Sequence, residues 1–245
     1  MRANHKKGAW QWLIDESPDI FMLQETKAHP DQMPDEVRDP LGYFPYFDHS
    51  KLKKGYSGVA LYSKIEPLHV EHGLGIEEFD NEGRTIIAEF EKYVVITSYF
   101  PNGGGGQDRL DYKMRYYDAF LKMINKYKKQ GKSVIFCGDV NTAHTEMDIA
   151  RPKENSNRTG FLPIEREWID KVIKDGFKDV WRDLYPKKVQ YSWWDMKTRA
   201  RERDIGWRID YFFVSEDIAD KVTRATIHND VHGSDHCPVS IEIEL

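Results

Sequence analysis

Cysteine is scarce in this chain: Cys137 and Cys237 are the only two among 245 residues. They show no metal-ligand spacing and cannot form a disulfide framework of the kind that staples small secreted domains, so a reducing cytoplasm is the expected setting. Long apolar runs are also missing. The longest are strand-sized, which leaves no segment suited to span a bilayer as a helix, and the opening residues carry no signal-peptide pattern. An excess of positive charge is absent as well: 36 Lys and Arg against 41 Asp and Glu give a formal charge of −5. That balance weighs against a protein that grips nucleic acid with its whole surface. No linker-like or low-complexity stretch divides the chain, and Gly103–Gly106 is too short to separate domains. A single domain over residues 1–245 with a well-buried core is therefore expected.

What is present is a soluble-protein composition, 40% hydrophobic and 31% charged, and a set of apolar strands that end in polar residues. Val134-Ile-Phe-Cys-Gly138 reads as a buried strand that stops at the glycine, leaving Asp139 and Asn141 on the loop beyond it. The arrangement recurs. Asp19-Ile-Phe-Met-Leu-Gln-Glu25 ends in a carboxylate, and Tyr93–Tyr99 leads into a Pro turn with Asn102. Arg208–Val214 carries Asp210 in its alternation, and Gly233-Ser-Asp-His-Cys-Pro238 precedes a last strand, Val239–Glu244. Helical spacing marks residues 4–15 (Trp10, Leu13, Ile14), 108–129 (Leu110, Tyr117, Phe120, Leu121, Ile124) and 163–175, which opens on Pro163 and stops at Gly176. Mixed strands and helices predict an α/β protein with two sheets faced by helices.

The polar inventory at these strand ends is rich in oxygen: Glu25, Asp139, Asp210, Asp235, Asn102 and Asn141. Hard oxygen ligands select Mg²⁺ or Mn²⁺ over zinc. Asp139 is the best general base for activating a water, Asn141 would hold that water in line, and His236 could donate to a phosphate oxygen. Ser234, Asp235 and His236 are sequence neighbours on an extended segment, where adjacent side chains point apart, so a serine triad is disfavoured. Residues 187–208 hold seven Lys and Arg against three acids, interleaved with Tyr191, Trp193, Trp194 and Trp207. Such a segment fits a surface that meets phosphates and stacks on bases; a solvated loop flanking core tryptophans is the plainer alternative. Together the pattern favours metal-assisted hydrolysis of a phosphate ester.

Leu23-Gln-Glu-Thr-Lys27, Lys54-Gly-Tyr-Ser-Gly-Val59, Tyr99-Phe-Pro-Asn102, Gly138-Asp-Val-Asn141, Gly206-Trp-Arg-Ile-Asp-Tyr211 and Gly233-Ser-Asp-His-Cys-Pro238 resemble, in order, the motifs of the exonuclease III family of abasic-site endonucleases. The resemblance implies a four-layered α/β sandwich, two mixed sheets packed face to face with helices outside. It implies a Mg²⁺- or Mn²⁺-dependent phosphodiesterase that incises DNA 5′ to abasic sites, leaves a 3′-hydroxyl, and trims 3′ ends as an exonuclease or phosphatase. By motif, Glu25 would bind the metal with Asp235 close by, and Asp139, Asn141 and His236 would surround the attacking water and the phosphate or hold a second metal. Asp210 would fix the His236 tautomer, and Tyr99 and Asn102 would hold the phosphate or leaving group. Asn155 matches a position that contacts the DNA backbone, and Trp193 and Trp207 match the aromatic wall around a flipped-out abasic sugar. The implied partner is double-stranded DNA carrying abasic sites or 3′ ends, met by a monomer in the cytoplasm or, in a prokaryote, at the nucleoid. Neither a membrane nor an obligate protein partner is implied.

Two departures stand out. Family members open with a strand ending Trp-Asn-x-Asn/Asp-Gly-Leu-Arg-Ala, whereas this sequence begins Met1-Arg2-Ala3, where that strand has just finished. The expectation is a chain truncated relative to the family, with Met1 an internal Met at the family's Leu position; a genuine short form would expose two unpaired strand edges. Gly103–Gly106 stand where the family often carries larger, sometimes cationic, residues. The competing readings are a superfamily hydrolase of small or lipid phosphate esters, and a catalytically silent DNA-binding remnant.

Overall fold

The three amphipathic segments are helices at nearly the expected limits in the computed structural model, which describes residues 8–245. They are α1 (Ala9–Glu16), α2 (Gln107–Lys129) and α3 (Pro163–Lys174). The start of the expected first helix at residues 4–7, and the missing-strand question at Met1–Ala3, lie outside the described residues. In α2 the buried stripe is Tyr112, Lys113, Tyr116, Tyr117, Phe120, Ile124 and Tyr127, a 3.6-residue period with one lysine inside it. Lys126, Lys128 and Lys129 fill its last turn, where positive charge meets the helix dipole.

The described chain falls into two units that divide between Tyr99 and Phe100. In the first, β1 (Ile20–Gln24), β2 (Phe44–Asp48) and β3 (Val59–Ser63) form an antiparallel sheet in the order β1-β3-β2. Every residue of the central β3 is buried. Trp10 and Leu13 of α1 pack on Phe21 and Tyr62 of that sheet. A second antiparallel run joins β4 (His69–His72), β5 (Thr85–Glu89) and β6 (Tyr93–Ser98).

In the second unit β7 (Ser133–Asp139) pairs with β11 (Asp210–Ser215), which pairs on its other side with β8 (Phe177–Asp179), all antiparallel. A two-residue ribbon joins β9 (Trp193–Trp194) to β10 (Gly206–Trp207), and β12 (Val222–Ile227) pairs with β13 (Val239–Ile243). Phe100, Phe120, Phe136 and Trp168 interlock edge-to-face between α2, α3 and β7. Truncating one such ring to Ala would cost about 3–5 kcal/mol.

Two expectations need correction here. Asp139 is not on an open loop: β7 runs one residue further than the sequence indicated, and Asp139 is only 5% exposed. The added residue pairs with Asp210 across the ladder, so two carboxylates stand side by side. The basic segment is likewise not uniformly a surface. Arg208 is buried; its Nε donates to Asp148 (2.7 Å), and its two terminal nitrogens donate to the two oxygens of Asp179 (3.0 and 2.7 Å). Arg182 also bonds Asp148, whose carboxyl burial would raise but the two arginines hold well below the usual range. This bidentate pairing of a buried guanidinium anchors the start of β11.

Candidate active site

The β7–β11 register sets the centre of the second unit. The Asp139 carboxylate is held by its own loop: Asn141 N donates to Oδ1 (2.8 Å) and Asn141 Nδ2 to Oδ2 (3.1 Å). Asn141 adopts a left-handed φ of 56°, which asparagine tolerates better than most residues. Its amide also donates to the Phe100 carbonyl (3.0 Å) and accepts from Asn102 Nδ2 (3.0 Å), while Asn102 Oδ1 accepts from Gly104 N (2.7 Å). Asn102 is thus braced although exposed.

Across the ladder, Asp210 Oδ2 lies 2.9 Å from His236 Nδ1 and accepts from Ser192 Oγ at 2.6 Å. The ring's Nε2 is 3.9 Å from Asp139 Oδ2, too long for a hydrogen bond, so both atoms face the same small space. Burial pushes the His236 pKa down, but the Asp210, Asp139 and Asp235 carboxylates outweigh it and raise it to about 10. These carboxylates favour the imidazolium form, with a proton on each nitrogen. Burial acts to raise Asp235, and the His236 charge with donors from Trp193 Nε1 (3.2 Å) and Ser234 Oγ (3.1 Å) holds it below the usual range. Ser234 spends its hydroxyl on Asp235, as a serine without a nucleophilic role would.

Trp193 and Trp207 meet edge-to-face, ring centres 6.0 Å apart, on a base of Ala143, Ile149, Phe161 and Ile209. Trp193 also lies 6.5 Å from the His236 ring, which makes the aromatic pair a wall of the same site. Gly160 is required beneath it: a Cβ there would fall 2.7 Å from Trp207 Cζ3, at a φ of +91°. Asn155 stands apart from these contacts. On the short helix Pro152–Asn155, its amide nitrogen donates to the Ala150 and Arg151 carbonyls.

The first unit brings Glu25 and Tyr99 together. Tyr99 OH donates to Glu25 Oε1 (3.1 Å), and Lys27 Nζ reaches the same oxygen at 2.6 Å. Glu25 and Lys27 both have positive φ, and the Lys54–Val59 motif holds the turn between them. Thr26 N donates to the Gly58 carbonyl (3.0 Å) and Lys27 N to that of Ser57 (2.8 Å); a Cβ on Gly58 would lie 2.3 Å from Thr26 Oγ1. Arg84 steadies Tyr99, donating to its carbonyl (2.8 Å) with the guanidinium 5.0 Å from its ring centre.

Among the described residues, no three His, Cys, Asp or Glu side chains form a ready-made cation cage. The donors nonetheless fit a hard divalent ion that keeps several waters and needs only one or two carboxylates. Glu25 of the first unit, with a third of its side chain exposed, and Asp235 of the second, held below the usual carboxylate range, are each a donor of that kind.

Lys113, Glu165 and Ser192 were not among the residues singled out from the sequence. Lys113 Nζ, fully buried, donates to the Asn141 carbonyl (2.8 Å), Thr142 Oγ1 (2.9 Å) and Glu165 Oε1 (2.6 Å). Burial pushes its pKa down, and Glu165 and Asp139 counter that. Glu165 Oε2 accepts from Gly160 N (2.6 Å) and Leu162 N (3.0 Å). One buried ion pair therefore ties the Asp139–Asn141 loop to the glycine beneath the tryptophan wall. The signal was available, since position 113 falls between Leu110 and Tyr117 on the apolar stripe.

Comparison with known proteins identifies the family. The Endonuclease/Exonuclease/phosphatase family model matches residues 2–236, and the chain belongs to that family. It is 46% identical over 235 residues to an exodeoxyribonuclease of Bacillus subtilis, covering 96% of this chain and 91% of the relative. It is 40% identical over 243 residues to the DNA repair nuclease APEX1 of Danio rerio, covering 98% and 78%. Among solved structures, a 3′-5′ exonuclease from Neisseria meningitidis superposes with a TM-score of 0.90 at 26% identity, covering 99% of this chain and 95% of that one. The fold is accordingly α/β with mixed sheets and helices. Within the family the chain is a DNA-repair nuclease of the exonuclease III and abasic-site endonuclease type, a branch of divalent-metal-dependent hydrolases.

Proposed function

We propose that the chain incises double-stranded DNA 5′ to abasic sites, leaving a 3′-hydroxyl, and trims 3′ ends with the same residues. The observation that carries this reading is the placement of the His236 ring, held by Asp210 and facing Asp139 beside the Trp193–Trp207 wall. In the proposed mechanism Asp139 takes the proton of the attacking water and Asn141 orients that water, for which its bonds to Asp139 fix the amide. His236 donates from Nε2 to a phosphate oxygen as charge builds there, while Asp210 keeps Nδ1 protonated and the ring aligned. Tyr99 and Asn102 bind the phosphate or the leaving oxygen, and Asn155 Oδ1 is assigned to the DNA backbone.

Glu25 and Asp235 are the carboxylates assigned to Mg²⁺, which would supply Lewis-acid neutralisation of phosphoryl charge. Trp193 and Trp207 form the wall against which an abasic sugar fits and an intact nucleotide clashes. Cys237 takes no part, since burial pushes its thiol up to about 12. The chain is assigned to act as a monomer, and its two buried cysteine side chains fit a reducing cytoplasm. The test is a duplex oligonucleotide with one stable abasic analogue, incubated with Mg²⁺ or with EDTA. Cleavage 5′ to the analogue only with Mg²⁺ is expected. Cleavage undiminished by EDTA, or turnover of small phosphate esters with the duplex left whole, would count against the proposal.

A further inference from the structure

The loop Asp195–Asp204 joins the two strands that carry the wall tryptophans, and its four cations look alike in sequence: Lys197, Arg199, Arg201 and Arg203. The structure separates them. Lys197 and Arg199 are exposed, and Arg203, also exposed, donates to the Thr198 carbonyl of its own loop (3.0 Å). Arg201 turns inward. Its guanidinium lies 4.6 Å from the Trp194 ring centre, a cation–π contact that fixes the plane of the group.

From that seat it donates to three carbonyls of one turn: Asn229 (2.8 Å), Val231 (2.7 Å) and, at longer range, Ser234 (3.4 Å). This turn links β12 to β13 and runs directly into Asp235 and His236. It contains Gly233 at a φ of +126°, a conformation with little intrinsic preference to stay ordered. Backbone bonds from the β9 region hold the other end, Trp194 N to the Asp235 carbonyl (3.0 Å) and Cys237 N to that of Ser192 (2.8 Å).

We propose that Arg201 is a positioning residue: it fastens the Asn229–Ser234 turn to Trp194, the neighbour of the wall residue Trp193, and so sets Asp235 and His236 at their working distances. The inference rests on the site reading above. It also gives the loop two separate tasks, with the inward arginine serving turnover and the outward cations serving DNA affinity. A lysine cannot replace Arg201, because one ammonium on a flexible stem does not present a rigid fork to several carbonyls.

The experiment compares Arg201→Ala, Arg201→Lys, Lys197→Ala and His236→Ala on the abasic duplex. It measures single-turnover incision at saturating enzyme, DNA affinity across a salt series, and thermal unfolding. For both Arg201 variants the incision rate should fall about tenfold to a hundredfold, the scale for a catalytic group misplaced by ~1 Å. Their DNA affinity should stay within about twofold with an unchanged salt slope, whereas Lys197→Ala should weaken binding and lower that slope by about one. Arg201 variants that keep their rate but lose affinity with a lower salt slope would make Arg201 a phosphate contact and overturn the inference. A lowered melting temperature with a normal rate would make it merely structural and overturn it too. If His236→Ala cut at the normal rate, the site reading itself would have failed, and this inference with it.

Discussion

The turn at Glu25, assigned above to the metal, and the ladder at Asp139 and Asp210, assigned to catalysis, are held by opposite means. Around Glu25 the turn is fastened backbone to backbone, with left-handed residues packed against Gly58, where a Cβ has no room, while the carboxylate itself, a third exposed, meets Tyr99 and Lys27. Around Asp139 and Asp210 it is side-chain chemistry: a buried lysine, a buried glutamate, a serine hydroxyl and an imidazolium. A shape-held carboxylate stays accessible to a hydrated cation, as suits a ligand that exchanges. A network-held carboxylate keeps its orientation and charge through turnover, as suits a base. The first should therefore break through sterics and the second through electrostatics.

The largest effect is expected at the network's functional end. His236→Ala removes the donor aimed at the phosphate and should lower single-turnover incision by about 3–4 kcal/mol, or about two to three orders of magnitude, with DNA affinity retained. A tenfold loss or less would remove His236 from that role.

Next comes the ion pair behind the loop. Lys113→Met leaves Glu165 buried without its cation and should cost about 3–5 kcal/mol in urea unfolding. The double variant Lys113→Met/Glu165→Leu should regain much of that stability but not the incision rate, because the Asn141 carbonyl stays unanchored. Recovery of both would show that the pair holds the fold and not the site.

For the shape-held turn, Gly58→Ala should cost about 1–3 kcal/mol and raise the Mg²⁺ concentration needed for half-maximal incision. Its rate at saturating Mg²⁺ should change little. A loss that Mg²⁺ does not restore would mean that the turn does more than present Glu25.

The smallest effect concerns stability alone. Asp48 closes β2 with 8% exposure, its Oδ2 lacks a hydrogen-bond partner, and burial raises its pKa to about 6. A carboxyl whose folded pKa lies above its unfolded one favours the native state at low pH and loses that contribution as pH rises through the folded value. Asp48→Asn should therefore stabilise the protein by about 1–2 kcal/mol at pH 7.5, the gain vanishing below about pH 4. A gain that is the same at both pH values would point to packing instead of charge.

Much of this site was legible in the sequence because strands that end in carboxylates advertise their ends. The runs that become β7 and β11 were marked out with Asp139 and Asp210 beside or within them, though not their pairing, and Trp193 and Trp207 stood out in a cationic stretch. What escaped was whatever depends on which way a long side chain turns. Lys113 sat within an apolar stripe but was not singled out, because helical period fixes a face and not the partner that allows a lysine to be buried there. Arg201 and Arg208 look like surface cations in sequence; one caps a turn and the other is buried between two aspartates. The depth of Asp139 was missed because strand pairing, a long-range event, extended β7 past its glycine.

The most direct test of the central claim is single-turnover cleavage of an abasic duplex by Asp139→Asn beside the unaltered chain, with DNA affinity measured for both. The substitution keeps the side chain's shape and removes the proton acceptor. Affinity within a few-fold and an incision rate lower by about three orders or more is the predicted result. A variant that cuts at a rate near that of the unaltered chain would show that Asp139 is not the base and that the site has been assigned wrongly.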